Sequence, residues 1–263
     1  MKKCAVINDI SGFGRCSLTA SIPIISALGI QANPVVTGVF TNQTGYESYK
    51  FHDLTDMLPS FCEEWKKLNV SFDGILTGFL LTEHQYNHIE SFIDKFKTDK
   101  TLLVVDPVLG DEGKLYDCFD EGLIESVKKL ITKADVITPN ITELKFLSGE
   151  DDVFKGAEKL LSGGIKSVIV TGIIEENTIS CLVFSDNRTE KYTTKLVKFG
   201  GKEARFSGTG DIFSSVVMGK MLNGFSVFDA AKEAVNFIGN AIENTSVSDR
   251  NDGIDFEKYL KEL

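Results

Sequence analysis

Histidine is scarce in this chain, with three in 263 residues, and its five cysteines are scattered and odd in number. No two cysteines form a C-x-x-C pair, and only His52, His84 and His88 are present to join them, which argues against a structural zinc site. Cys4, Cys16, Cys62, Cys118 and Cys181 therefore read as reduced thiols. Neither Cys16 nor Cys118 has a histidine in its local motif, so both are poor candidates for a nucleophile. Basic residues are also in deficit. Lys plus Arg total 28 against 38 Asp plus Glu, a net charge of -10, and no segment concentrates the positive charge that a nucleic-acid surface needs. No run of eighteen apolar residues occurs, which excludes a membrane-spanning helix. The opening Met1-Lys2-Lys3-Cys4-Ala5-Val6-Ile7 passes into a strand and a polar glycine loop before any long apolar segment develops, unlike a signal peptide, so a cytoplasmic protein is expected. A Walker A sequence is missing too, which disfavours a P-loop fold.

What is present is a core-forming composition, 42% hydrophobic with a mean hydropathy of -0.01, enough for one domain over residues 1–263. Short β-branched runs alternate with longer amphipathic segments. Strands are predicted at 4–7, 32–36, 74–77, 101–105, 136–137, 167–170, 179–184 and 191–196, and helices at 17–28, 83–97, 121–131, 141–147, 154–161, 211–222, 228–244 and 256–260. In the second helix Tyr86, Ile89, Phe92, Ile93 and Phe96 form one buried stripe. The consecutive Leu102, Leu103, Val104 and Val105 leave no wet face, which predicts a mostly parallel sheet covered on both sides by helices. The last two runs, separated by Ser185, Asp186, Asn187 and Arg188, predict an antiparallel hairpin at the sheet edge.

The segment Phe206-Ser207-Gly208-Thr209-Gly210-Asp211-Ile212-Phe213 places two glycines and a carboxylate at the mouth of an apolar helix. Free amides of a helix's first turn attract an anion, and glycine lets the chain approach a phosphate closely. Asp211 repels such an anion unless it has another task, and accepting a proton from a hydroxyl that attacks phosphorus is the economical one. An ordinary glycine loop capping a helix is the alternative.

Ligands collect at the carboxyl ends of strands in an open α/β sheet, and four further loops there carry polar chemistry. Asn8-Asp9-Ile10-Ser11-Gly12-Phe13-Gly14-Arg15 invites comparison with a dinucleotide fingerprint, but Ser17 stands where the third glycine belongs, leaving a small-substrate site or a plain turn. Thr41-Asn42-Gln43-Thr44-Gly45-Tyr46 offers groups that can recognise a heteroaromatic ring, with an Asx turn at Asn42 as the alternative. Asp106-Pro107-Val108-Leu109-Gly110-Asp111 supplies two hard oxygen ligands suited to magnesium near phosphates, or two solvated loop carboxylates. Thr138-Pro139-Asn140-Ile141-Thr142-Glu143 reads as a helix capping box complete without a ligand, and also as a place to orient a hydrated metal.

In order and spacing these loops, with Leu76-Thr77-Gly78-Phe79, resemble the pyridoxal and pyridoxamine kinases of the ribokinase-like superfamily over nearly the whole chain. The resemblance implies a three-layer α/β/α sandwich with an antiparallel edge and ATP-dependent phosphorylation of the 5′-hydroxymethyl group of a vitamin B6 compound. It implies Asp211 as catalytic base, Gly208, Thr209 and Gly210 as anion hole, and Asp111, Thr138, Asn140, Glu143 and Thr171 beside the nucleotide. It also implies Asp106, Asp111 and Glu143 around Mg²⁺, a monovalent cation such as K⁺ assisting, and Asp9, Ser11, Thr44 and Phe79 on the substrate side. Adenine is expected near the chain between Val197 and Arg205. A homodimer acting on a small molecule, with no nucleic-acid or membrane partner, follows from the same likeness. The chain departs from the family at Asn8-Asp9 (commonly Gln-Ser), Gln43 (commonly His) and Phe79 (commonly Tyr). The segment from Asp9 to Gly14 is also similar to hydroxymethylpyrimidine kinases of the same superfamily, which are the alternative function; a non-catalytic nucleotide-binding protein is a second class of alternative.

Overall fold

The computed structural model describes residues 1–116, 121–199, 202–203, 205–246 and 249–263; Cys118 and part of the segment expected beside adenine lie outside them. Nine strands form one sheet: β1 Lys3–Ser11, β2 Gln31–Phe40, β3 Phe51–Asp53, β4 Gly74–Thr77, β5 Leu102–Val105, β6 Val136–Ile137, β7 Ser167–Glu175, β8 Thr178–Ser185 and β9 Arg188–Lys195. Their order is β9-β8-β7-β6-β5-β4-β1-β2-β3. The six strands from β7 through β2 run parallel, and the antiparallel pairs β2/β3, β7/β8 and β8/β9 close the two edges.

Both faces are covered, as the continuous apolar strands require. Cys4 and Val6 of β1 join one core with α1 (Ser17–Ala27), α7 (Thr209–Leu222) and α8 (Val227–Glu243). Ala5 and Ile7 join the opposite core with α2 (Leu58–Lys67), α3 (Glu83–Phe96), α4 (Glu121–Ile131), α5 (Ile141–Ser148) and α6 (Val153–Ser162). Leu103 and Val105 face the second cluster and Val104 the first, so β5 buries both sides. This is the three-layer sandwich expected from the sequence. No helix among the described residues is long and apolar enough to cross a membrane.

Several boundaries differ, each for a local reason. The expected hairpin is present, and Asp186 and Asn187 both take positive φ (51° and 58°), matching the mirror-image turns that suit twisted strands. β1 continues through Asn8 to Ser11 instead of opening into a loop at Asn8, with its register against β2 slipping between Asn8 and Ile10. α7 starts at Thr209, two residues before the expected Asp211. The closing segment Phe256–Glu262 is a 3₁₀ helix, not an α-helix. β3 and α2 went unpredicted: β3 is a three-residue exposed edge, and in α2 Leu58 is the fully buried side chain.

Candidate active site

The site forms where β1, β4, β5 and β6 end and α7 begins. Gly208 caps α7 at φ 80°, and a Cβ there would stand 1.9 Å from the Arg15 carbonyl oxygen, so only glycine fits. The first hydrogen bond onto the cap is Ile212 N–H to the Gly208 carbonyl, at 3.0 Å. The amides of Thr209, Gly210 and Asp211 thus precede the helical ladder and face outward. The free amides beside these glycines belong to the helix's own first turn, rather than to a loop ahead of it.

Asp211 is held from β1 and α1. Asn8 donates its amide N–H to Asp211 Oδ1 at 2.8 Å, and the Ser17 backbone N–H donates to Oδ2 at 2.7 Å. Burial raises the Asp211 carboxyl above its usual range, while these two hydrogen bonds oppose the rise. Ser17 makes its contact from a left-handed backbone conformation, φ 50°, unusual for a non-glycine residue. Beside it, Asp9 accepts from the Ser17 hydroxyl at 2.6 Å and from the Ser11 hydroxyl at 3.1 Å. Burial pushes Asp9 up to about 6; the Ser17 hydroxyl opposes that shift and the Asp211 charge adds to it.

Of the expected substrate-side residues, Asp9, Ser11 and Phe79 gather around Asn8: the Phe79 backbone N–H donates to Asn8 Oδ1 at 2.9 Å. Thr44 is exposed at its loop tip. Its neighbour Gln43 is the side chain that turns inward, reaching the Ser207 hydroxyl at 3.3 Å and the Asn251 carbonyl at 3.4 Å. Asn251 also donates to the Gly45 carbonyl at 3.0 Å and accepts from Ser207 at 3.3 Å, tying the 41–46 loop to the α7 cap.

On the other side of Asp211 lies a cavity of about 310 Å³, within the range of small-ligand sites. All the residues expected beside the nucleotide line it: Asp111, Thr138, Asn140, Glu143, Thr171, Gly208, Thr209 and Gly210. Asp106 and Asp211 line it as well. The capping box of α5 is complete: Glu143 N–H donates to Asn140 Oδ1 at 3.0 Å and Asn140 N–H to Glu143 Oε2 at 2.8 Å. Glu143 Oε1 accepts the Leu109 N–H at 3.0 Å, and Asn140 donates to the Gly110 carbonyl at 2.8 Å, so α5 fixes the loop carrying Asp111. Thr171 forms a parallel bridge with Asn140.

The cavity's acidic wall is electrostatically strained. Burial raises Asp106 well above the carboxylate range, and the charges of Glu143 and Asp211 add to it; burial likewise raises Glu143. Among the described residues no three His, Cys, Asp or Glu side chains come together to hold a metal ion directly. Asp111 instead faces Arg205, 3.2 Å from its Nη1. Buried carboxylates with hard oxygens, and the buried Thr138 hydroxyl beside Asp106, suit a hydrated Mg²⁺ contacted through water. Arg205 was expected only as the end of the segment beside adenine, not opposite Asp111, and the apolar end built by Ile174, Ile179, Val235, Ile238 and Ile242 went unforeseen, because these residues come from β7, β8 and α8, far apart in the chain.

A buried carboxylate beside free helix amides, at the carboxyl edge of this α/β/α sheet, defines a ribokinase-like phosphotransferase. More narrowly, the chain belongs to the phosphomethylpyrimidine kinase family, whose model matches residues 14–254. A putative phosphomethylpyrimidine kinase from Bacteroides thetaiotaomicron, in a crystal form with pyridoxal, superimposes with a TM-score of 0.93 at 39% identity, over 99% of this chain and 95% of that one. The pyridoxal kinase of Dictyostelium discoideum is 28% identical over 270 residues, 95% of this chain and 87% of its own. The pyridoxal kinase of Leishmania donovani, in complex with ADP and pyridoxamine, shares the fold with a TM-score of 0.88 at 20% identity, over 100% of this chain and 95% of that one.

Proposed function

We propose that this protein is a vitamin B6 kinase, transferring the γ-phosphoryl group of ATP to the 5′-hydroxymethyl group of pyridoxal, pyridoxine or pyridoxamine. The observation that carries this is the position of Asp211, between the cavity lined by the α7 amides and the cluster of Asn8, Asp9, Ser11 and Phe79. ADP and pyridoxamine in the Leishmania complex, and pyridoxal with the Bacteroides relative, support the same pair of ligands.

In this reaction Asp211 accepts the hydroxyl proton as the substrate oxygen attacks the γ-phosphorus in line, and ADP departs with the electrons of the broken P–O bond. The amides of Thr209, Gly210 and Asp211 donate to the oxygens of the transferred group. Asp106, Asp111 and Glu143 would hold a hydrated Mg²⁺, which would supply positive charge against the triphosphate, and a K⁺ ion would assist as the resemblance implies. Asp9 and Ser11 border the ring, with Phe79 as an apolar wall; from the 41–46 loop Gln43 is the side chain turned toward the site, with Thr44 exposed at the tip. Thr138, Asn140 and Thr171 border the nucleotide. The protein acts as one domain per subunit in a cytoplasmic homodimer. Hydroxymethylpyrimidine phosphorylation is the second reading, favoured by the description of the matching family.

The base is tested by Asp211→Asn, which keeps the shape and removes the proton acceptor. Turnover drops by about 100-fold or more, while ATP binding by calorimetry and the unfolding temperature stay near the parent's. A variant that turns over like the parent contradicts the assignment.

A further inference from the structure

We infer that Asn8 is a positioning residue that sets the orientation of the Asp211 carboxylate and joins it to the Gly78–Phe79 turn; this rests on Asp211 being the base, as proposed above. Asn8 is 3% exposed and all of its side-chain hydrogen bonds are made inside the protein. Its Nδ2 donates to Asp211 Oδ1 at 2.8 Å, while its Oδ1 accepts from the Asp9 N–H at 3.0 Å and the Phe79 N–H at 2.9 Å. One planar amide therefore spans three parts of the site: the second half of β1, the turn after β4 and the first turn of α7.

The arrangement fixes more than position. With its oxygen committed to two backbone donors, the Asn8 amide presents its nitrogen to Asp211 and cannot flip without leaving buried N–H groups unpaired. Asp211 Oδ2 is taken up by Ser17, so the two hydrogen bonds together determine the plane of the carboxylate and which of its lone pairs face an incoming hydroxyl. A lone carboxylate at this place has acidic neighbours, Asp9 on β1 and Asp106 after β5; the Asn8 N–H is a neutral donor among them. Gly78 belongs to the same device. A Cβ at Gly78 would sit 2.3 Å from Asn8 Nδ2 and 2.7 Å from its Cγ, so the close approach of the β4 turn requires glycine for the amide to reach Asp211 at all. The Asn-Asp pair that departs from the pyridoxal-kinase pattern thus carries the link between base and substrate-side turn.

The test is a double-mutant cycle between Asn8→Ala and Asp211→Asn, with Gly78→Ala as a variant that displaces the Asn8 amide while leaving residue 8 intact. In the parent, Asn8→Ala lowers kcat roughly tenfold, about the effect of one charge-assisted hydrogen bond, with the KM for ATP unchanged. Gly78→Ala does the same. In the Asp211→Asn background, Asn8→Ala changes the residual rate by less than about twofold, since no carboxylate is left to orient. Equal tenfold losses in both backgrounds overturn the inference, as does parent-like kcat in both Asn8→Ala and Gly78→Ala. If Asn8→Ala does not fold, Gly78→Ala alone decides: a fall in kcat at constant KM for ATP upholds the role and an unchanged kcat refutes it. Failure of the underlying reading is separate and shows as full activity in Asp211→Asn alone.

Discussion

The residues of the site are arranged at an electrostatic cost that the ligand-free protein bears. Asp9, Asp106, Glu143 and Asp211 all have carboxyls raised by burial. A group whose folded pKa lies above its unfolded value binds more protons in the folded state, so its contribution to stability falls as pH rises between the two values. For Asp9 the window runs from its ordinary 3.8 to about 6. Against the opposing effect of burial, Asp53, Asp135 and Asp255 are lowered by hydrogen bonds and by cationic neighbours (His52 for Asp53, lysines for Asp135, Lys258 and Arg15 for Asp255), and act with the other sign below that window. The unfolding temperature of the free protein is therefore expected to decline from pH 5 to pH 6.5, and Asp9→Asn is expected to flatten the decline. A slope unchanged by Asp9→Asn would show that its carboxylate is not held neutral by the fold. At this scale much was legible. Asp211 and its glycines, the two loop aspartates, and the Asn140–Glu143 box are each local in sequence, and local patterns declare themselves. Asn8 and Gln43 were placed in ring-side loops and Arg205 at the end of the adenine segment, but their contacts to Asp211, Ser207 and Asp111 were not legible, because those partners are distant in sequence.

Two helix starts do different work. Asn140 caps α5 and its amide also fixes Gly110, while Asp152 caps α6 by accepting the Lys155 N–H at 2.9 Å, away from the cavity. Removing either cap is expected to destabilise the protein by about 1 kcal/mol. Asp152→Ala should leave turnover near the parent's, and Asn140→Ala should also raise the KM for ATP, because the loop bearing Asp111 loses its anchor. Denaturant unfolding and steady-state kinetics on the pair check this; equal kinetics would make the α5 box purely structural. Elements were legible where periodicity was strong. The stripe of α3 and the apolar run of β5 were visible, whereas β3 and α2 were not. The ends of β1 and α7 shifted because a register slip at Asp9 and a left-handed cap at Gly208 are tertiary accommodations. Gly208 could be read as a flexible glycine, but the Arg15 carbonyl pressing on it could not.

For the whole molecule, the parallel order with antiparallel edges brings the carboxyl ends of four strands and one helix start to one rim, and places Asp211 between the cavity and the cluster around Asn8. Alternating strands and helices made the layered sandwich legible, while the strand order and the apolar end of the cavity were set by long-range packing that no sequence window contains. The family description and the pyridoxal-kinase relatives point to two related hydroxymethyl rings, so the substrate must be decided by rates. The most direct measurement is the initial rate of ATP-dependent phosphorylation of pyridoxal, pyridoxine, pyridoxamine and hydroxymethylpyrimidine, at matched ATP and Mg²⁺. The account predicts a higher kcat/KM for at least one vitamin B6 compound than for hydroxymethylpyrimidine. A reproducible preference of about tenfold for hydroxymethylpyrimidine, near 1.4 kcal/mol of transition-state discrimination, would contradict it.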